Sequence, residues 1–175
     1  MDSDDTHTAV ELALAALERN RVANTEMMGA EPFLVKAVTQ RNGVVAVVAQ
    51  SDAMRIPVIV ENHGGQWHVP RMLIGSRRQE TERKALTSHM GLQEKSFNQS
   101  GWPGPDGEPP EISWLAVTGF AALDATSVVV SNELNTFEAI PDDDGFVLCL
   151  VRAKHRSRPE VLVHTTDGRA VHAGP

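Results

Sequence analysis

At 175 residues, with 41% hydrophobic and 22% charged side chains, the chain is long enough to bury a sizeable core and too apolar for wholesale disorder. Its formal charge of −7, from 16 basic against 23 acidic residues, opposes a phosphate backbone, and the basic run Arg71 to Lys84 is interrupted by Glu80 and Glu82, so nucleic-acid binding is not expected. A single cysteine, Cys149, permits no intrachain disulfide; the acidic start MDSDDTHTAVE is unlike a secretory signal, and no run reaches the roughly 18 apolar residues of a membrane span, which together point to the cytoplasm and away from membranes.

In chain order, Thr8 and Glu11 read as a T-x-x-E capping box, and Val10, Leu12, Ala13, Ala16 and Leu17 recur at helical spacing. The pattern predicts an amphipathic helix over residues 8–22. Four strand-like runs follow, FLVKAVTQ, VVAVVAQ, MRIPVIVE and QWHVPRML, separated by the turn chemistry of Arg41-Asn42-Gly43 and Asn62-His63-Gly64-Gly65. Pro57 and Pro70 each remove a ladder donor, which places their strands at an edge or breaks them locally. Ser76 and Gln79 form another capping box, Glu80 and Lys84 are spaced for a helical ion pair, and Gly91 can end the element, so residues 76–90 read as a second, very polar helix.

From Phe97 to Glu111 the chain reads FNQSGWPGPDGEPPE, which sustains neither a helix nor a central strand. Beyond it, ISWLAVT, TSVVVSN, LNTFEAI, GFVLCLV, EVLVHTT and RAVHA are short strand signals at the density of a β-sandwich or barrel. The expected fold class is α+β: an N-terminal helix on an antiparallel β-meander over residues 1–91, a Gly/Pro-rich connector over 92–111, and a small antiparallel β-sandwich over 112–175.

The pieces HGGQWHVPRM, ISWLAVTGFAALDATSVVVSN, DDDGFVLCLV and VLVHTTDGRAV resemble a group of uncharacterised proteins of high-GC bacteria. In these a helix-plus-sheet region ends in a GGxW-like turn and an immunoglobulin-like β-domain follows. The resemblance implies that layout and carries no activity. One Cys and no Tyr rule out the disulfide and the tyrosine corner of true immunoglobulin domains here.

Chemistry concentrates between Pro141 and His172. Asp142, Asp143 and Asp144 are consecutive, whereas a calcium loop spaces its oxygens at alternate positions, so Asp144-Gly145 reads as a hairpin turn. Cys149 sits in FVLCLV, where burial raises a thiol pKa, so it reads as structural. His164 and His172 point apart if the last hairpin has the two-residue loop Asp167-Gly168. They pair directly if the loop is Asp167 to Arg169, the register the apolar set favours. Two imidazoles are half of a tetrahedral zinc site, so no metal and no cofactor is expected, with His164 and His172 as the metal alternative.

Trp67 and Trp114 read as core residues. Trp102, between Gly101 and Pro103 and near Pro105, reads as the leading contact residue for a partner, with Pro103 and Pro105 beside it. The expected function is a non-enzymatic interaction or accessory protein, whose contact is another protein or a second copy of the chain. The alternative is a small-molecule-binding or enzymatic domain with a pocket between helix and sheet lined by Met27, Met28, His63, Trp67 and His68.

Overall fold

The computed structural model describes residues 3–79, 82–86, 91–100 and 107–173. It is α+β, mostly antiparallel sheet with one long helix, and it divides into two compact units, Met1–Gln79 and Glu80–Pro175.

In the first unit helix α1 spans Ser3–Ala23, with Asp4 and Asp5 in its first turn, where the helix dipole favours negative charge. It starts earlier than the T-x-x-E pattern suggests. Thr8 lies inside the helix and its Oγ1 donates to the Asp4 carbonyl at 2.9 Å, the back-bond a threonine makes when it is not a cap. The buried stripe is Ala9, Ala13, Ala16 and Leu17, while Leu12 is outside it. Alanines let the helix approach the sheet closely, and burying Leu17 contributes about 1.5–3 kcal/mol. A single turn, α2 (Thr25–Met28), then leads to Gly29, whose φ of 97° leaves no room for a side chain because Asp52 lies against it.

The sheet below α1 has strands β1 (Leu34–Arg41), β2 (Val44–Gln50), β3 (Met54–His63) and β4 (Gln66–His68) in that order, all antiparallel, with β5 (Ser76–Arg77) paired to the start of β3. The first three sequence runs are β1 to β3, while of QWHVPRML only Gln66–His68 is strand, which ends before Pro70. Pro57 pairs with Val48 at a position where β3 directs its peptide nitrogen away from β2, and on that outer side the strand is unpaired between the β5 and β4 contacts. The proline therefore costs no ladder bond.

The second helix expected over 76–90 is not formed by the described residues of that stretch. Ser76 and Arg77 are strand, and residues 82–86 are extended and tied to the segment 121–124: Arg83 Nε donates to the Ala121 carbonyl at 2.9 Å and Leu86 N to Asp124 Oδ1 at 2.8 Å. Those long-range bonds outweigh a helix whose apolar side was thin.

In the second unit, β6 (Leu92–Gln99), β7 (Ile112–Ala121) and β10 (Phe146–Lys154) form one sheet in the order β10-β7-β6. β8 (Ala125–Ser131), β9 (Thr136–Ala139), β11 (Glu160–Thr165) and β12 (Ala170–His172) form another in the order β12-β11-β8-β9. One buried cluster draws on both, including Leu92, Val117, Cys149, Val128 and Val163. Strand β6 corrects the sequence reading, which gave residues 92–99 to a connector: LQEKSFNQ lacks strict alternation because it carries a β-bulge. Gln93 pairs with Phe120 and Ser96 with Thr118, so Glu94 and Lys95 together oppose Gly119. The extra residue resets the parity of the strand, and Leu92 and Phe97, five apart, both face the core.

The β9 edge is fastened to the other sheet by two side chains of the turn after β8. Asn132 Nδ2 and Asn135 Nδ2 both donate to the Arg152 carbonyl, at 2.7 and 2.8 Å, and Arg152 N donates to Asn135 Oδ1 at 3.1 Å. On the β6 side Lys95 Nζ donates to the Ala173 carbonyl.

Candidate functional site

The residues suggested for a pocket in the first unit do not converge. Met28 is buried in the core and its carbonyl accepts from Ser51 Oγ at 2.6 Å, at the Met54 end of β3, while Met27 is half-exposed. His63, Trp67 and His68 lie at the opposite end of that strand, about 30 Å away by strand rise. There Trp67 is half-buried and packs against the core cluster of this unit, at its margin rather than inside it. The His63 and His68 rings are tilted against one another with centroids 5.5 Å apart, and His63 Nε2 is 3.4 Å from Glu61 Oε2.

The stretch 141–172 is built of turns and strands. Asp142 Oδ1 accepts from Phe146 N at 2.8 Å and Gly145 takes a φ of 82°, so the acids close a tight turn. That turn is not a hairpin within one sheet, since it carries the chain from β9 in one sheet to β10 in the other. Cys149 is fully buried, and burial pushes its thiol pKa up to about 12. His164 pairs with Ala170, and His172 with Leu162, which corrects both registers considered above. The loop is Thr166 to Gly168, closed by Thr165 N donating to the Arg169 carbonyl at 3.0 Å, with Gly168 at a φ of 81°. The two imidazoles share a face but sit diagonally, and His172 Nδ1 is 3.3 Å from Glu160 Oε1. Among the described residues no three His, Cys, Asp or Glu side chains gather closely enough to hold a metal ion. Trp102, Pro103 and Pro105 lie outside the described residues.

What the fold does assemble is a groove of about 620 Å³ in the second unit, lined by Phe97, Gln99, Leu115, Arg156, Ser157 and Arg158. Strand β6 supplies Phe97 and Gln99, β7 supplies Leu115, and the loop between β10 and β11 supplies the rest. Phe97 and Leu115 form an apolar floor continuous with the core. The loop turns sharply at Arg156, a non-glycine residue with a φ of 62°, and both arginines are exposed.

Lys95, re-aimed by the bulge, stands 5.5 Å above the Phe97 ring. Burial, and then the nearby Arg158 guanidinium, hold the Lys95 pKa below its ordinary value. Gln99 is fixed by its Nε2, which donates to Ser113 Oγ at 2.6 Å. No protein-family model, no curated protein and no solved structure matches this chain. The site therefore rests on its own chemistry: three cations and the Ser157 hydroxyl around an aromatic and aliphatic floor, a surface suited to holding an anionic group with apolar neighbours.

The groove residues were missed in the sequence for two separable reasons. Phe97 fell in a stretch whose bulge hid its strand. The cations were overlooked because basic density was sought between Arg71 and Lys84, although KHRSR, residues 154–158, concentrates three permanent cations and a histidine between two strands.

Proposed function

We propose that this chain is a non-enzymatic interaction protein of the cytoplasm that contacts another protein through the second unit, and that this unit is an immunoglobulin-like β-sandwich. The sandwich is supported by strand order: with β6 to β12 taken as strands A to G, one sheet is A-B-E and the other is G-F-C followed by the fourth strand. A constant-type immunoglobulin domain keeps that fourth strand beside the fifth, so the arrangement is a relative of that topology. This layout is also the one implied by the resemblance to the high-GC bacterial group.

The observation that carries the interaction reading is the groove beside β6, with two exposed arginines over an apolar floor. Arginine and aromatic side chains are the residue types enriched in protein interfaces. No helix among the described residues is long and apolar enough to cross a membrane.

The experiment is site-specific photo-crosslinking in the producing cell, with the reactive side chain placed at Ser157. A discrete protein adduct that disappears when Arg156 and Arg158 are both changed to Glu is the expected result. A small molecule retained in the groove by the native protein and chemically converted there would overturn the reading.

A further inference from the structure

We propose that the occupant of the groove is a short, extended, acidic segment of the partner, its main chain running beside Phe97 and Gln99 and its carboxylates meeting Arg156 and Arg158. This rests on the interaction reading above and specifies its chemistry.

The backbone phase of β6 comes first. Ser100 N donates to the Trp114 carbonyl at 2.7 Å, and Ser96 and Asn98 share that phase opposite Thr118 and Ala116, so their peptide groups are turned toward β7. The peptide groups of Phe97 and Gln99 then point out from the edge of the sheet. Among the described residues no strand takes them up, and edge groups of this kind are a template for one more strand, with specificity supplied by pockets for alternate side chains. The groove lies where those side chains would fall.

Charge is the second observation. Arg156 and Arg158 form no ion pair among the described residues, whereas Lys154, in the same loop region, pairs with Glu133 at 2.9 Å and Arg169 with Asp167 at 2.8 Å. In a chain of net charge −7 this leaves a local cationic surface with unused capacity for bidentate carboxylate bonds.

Geometry sets the length of the segment. The bulge at Glu94 and Lys95, with Lys95 bound to the Ala173 carbonyl, closes one end of the edge, and from Ser96 to Gln99 no strand among the described residues pairs with its outer side. At about 3.3 Å per residue that is room for roughly four residues. The opposite edge of the same sheet, β10, is engaged at Arg152 by Asn132 and Asn135. A nucleic-acid strand suits the groove less well: its regularly repeated phosphates need an extended basic stripe, whereas the cations here are confined to one loop and Lys95 in a chain of net charge −7.

The test uses the full chain and an acetylated decapeptide alternating glutamate with valine and threonine, with its lysine-for-glutamate counterpart, citrate and oligouridylate as further arms. The acidic peptide is expected to bind and to slow hydrogen exchange of the Phe97 and Gln99 amides at least tenfold, while the lysine peptide does not bind. Arg156→Glu with Arg158→Glu is expected to weaken binding at least tenfold at an unchanged unfolding midpoint, since both side chains are exposed. Three results would each overturn the proposal: peptide binding without protection of those two amides, citrate filling the groove while the peptide fails, or oligouridylate binding more tightly than the peptide. If the Ser157 crosslink captures a protein but the acidic peptide does not bind, strand addition falls and the interaction reading stands. If neither occurs, both fall.

Discussion

Cys149 Sγ lies 3.9 Å from the carbonyl oxygen of Val128, so the one thiol of the chain reaches from β10 to β8 inside the core shared by the two sheets of the second unit. Its environment is desolvated rather than electropositive, the opposite of what a nucleophile or metal thiolate needs.

Cys149→Ala is therefore expected to cost about 1 kcal/mol of stability, a small lost side chain, while the groove keeps its binding. Native protein should resist thiol reagents at neutral pH. The pH dependence has a defined sign. The folded thiol titrates near 12 against an ordinary value of 9.0, so its contribution is fully present below pH 9 and is lost as pH rises toward 12. At about 1.4 kcal/mol lost per pH unit between the two values, the stabilities of wild type and Cys149→Ala should meet within about one pH unit above 9 and then cross; parallel curves would show that the thiol is not buried.

Gly119 is the second sensitive position. A Cβ there would lie 2.6 Å from Leu92 Cγ and 2.9 Å from the Gln93 carbonyl oxygen, because the bulged strand folds over it. Gly119→Ala should cost about 1–3 kcal/mol by overpacking and shift Lys95 and Phe97. Thermal unfolding together with amide chemical shifts at those two residues would measure both effects. An unchanged midpoint would mean that β6 does not hold this register.

The last hairpin should answer acid through Asp167. A hydrogen bond from Thr165 Oγ1, together with Arg169, holds the Asp167 carboxyl below its ordinary range. A depressed carboxylate contributes stability above its unfolded value of about 3.9 that is lost as pH falls further. Protection of the hairpin amides should therefore persist from pH 7 to pH 5, drop below about pH 4, and show a smaller drop in Asp167→Asn. Because His164 and His172 are diagonal, saturating zinc should leave the unfolding midpoint of wild type and His164→Ala alike. A zinc-dependent rise in wild type alone would restore the metal alternative.

Much of the sheet was legible, because runs such as VVAVVAQ and FVLCLV carry their own β signal and Asn-Gly or Asp-Gly turns separate them. Where legibility failed, a non-local bond had replaced a local rule. Ser76 to Gln79 has the form of a helix start, yet Arg83 and Leu86 are held by Ala121 and Asp124, nearly forty residues on. The apolar face of α1 was legible in Ala13, Ala16 and Leu17, which are buried, while Ala9 was passed over because alanine is a weak hydrophobic signal and Leu12 lies outside the stripe. The groove was invisible since its members come from a bulged strand, a second strand and a loop, brought together by the pairing of β7 with β6 on one side and with β10 on the other.

That pairing changes what a break in the chain would mean. Ser100 and Trp114 hold the two ends of the intervening segment together through the Ser100 N to Trp114 O bond and, in return, Trp114 N to Ser100 Oγ at 3.0 Å. Nicking within the exposed stretch 107–109 would leave two polypeptides that remain one folded particle, separating on a denaturing gel but co-migrating in gel filtration. The same position would accept new termini: the two pieces, expressed apart, should reassemble by fragment complementation, with β6 as the strand one half donates to the other.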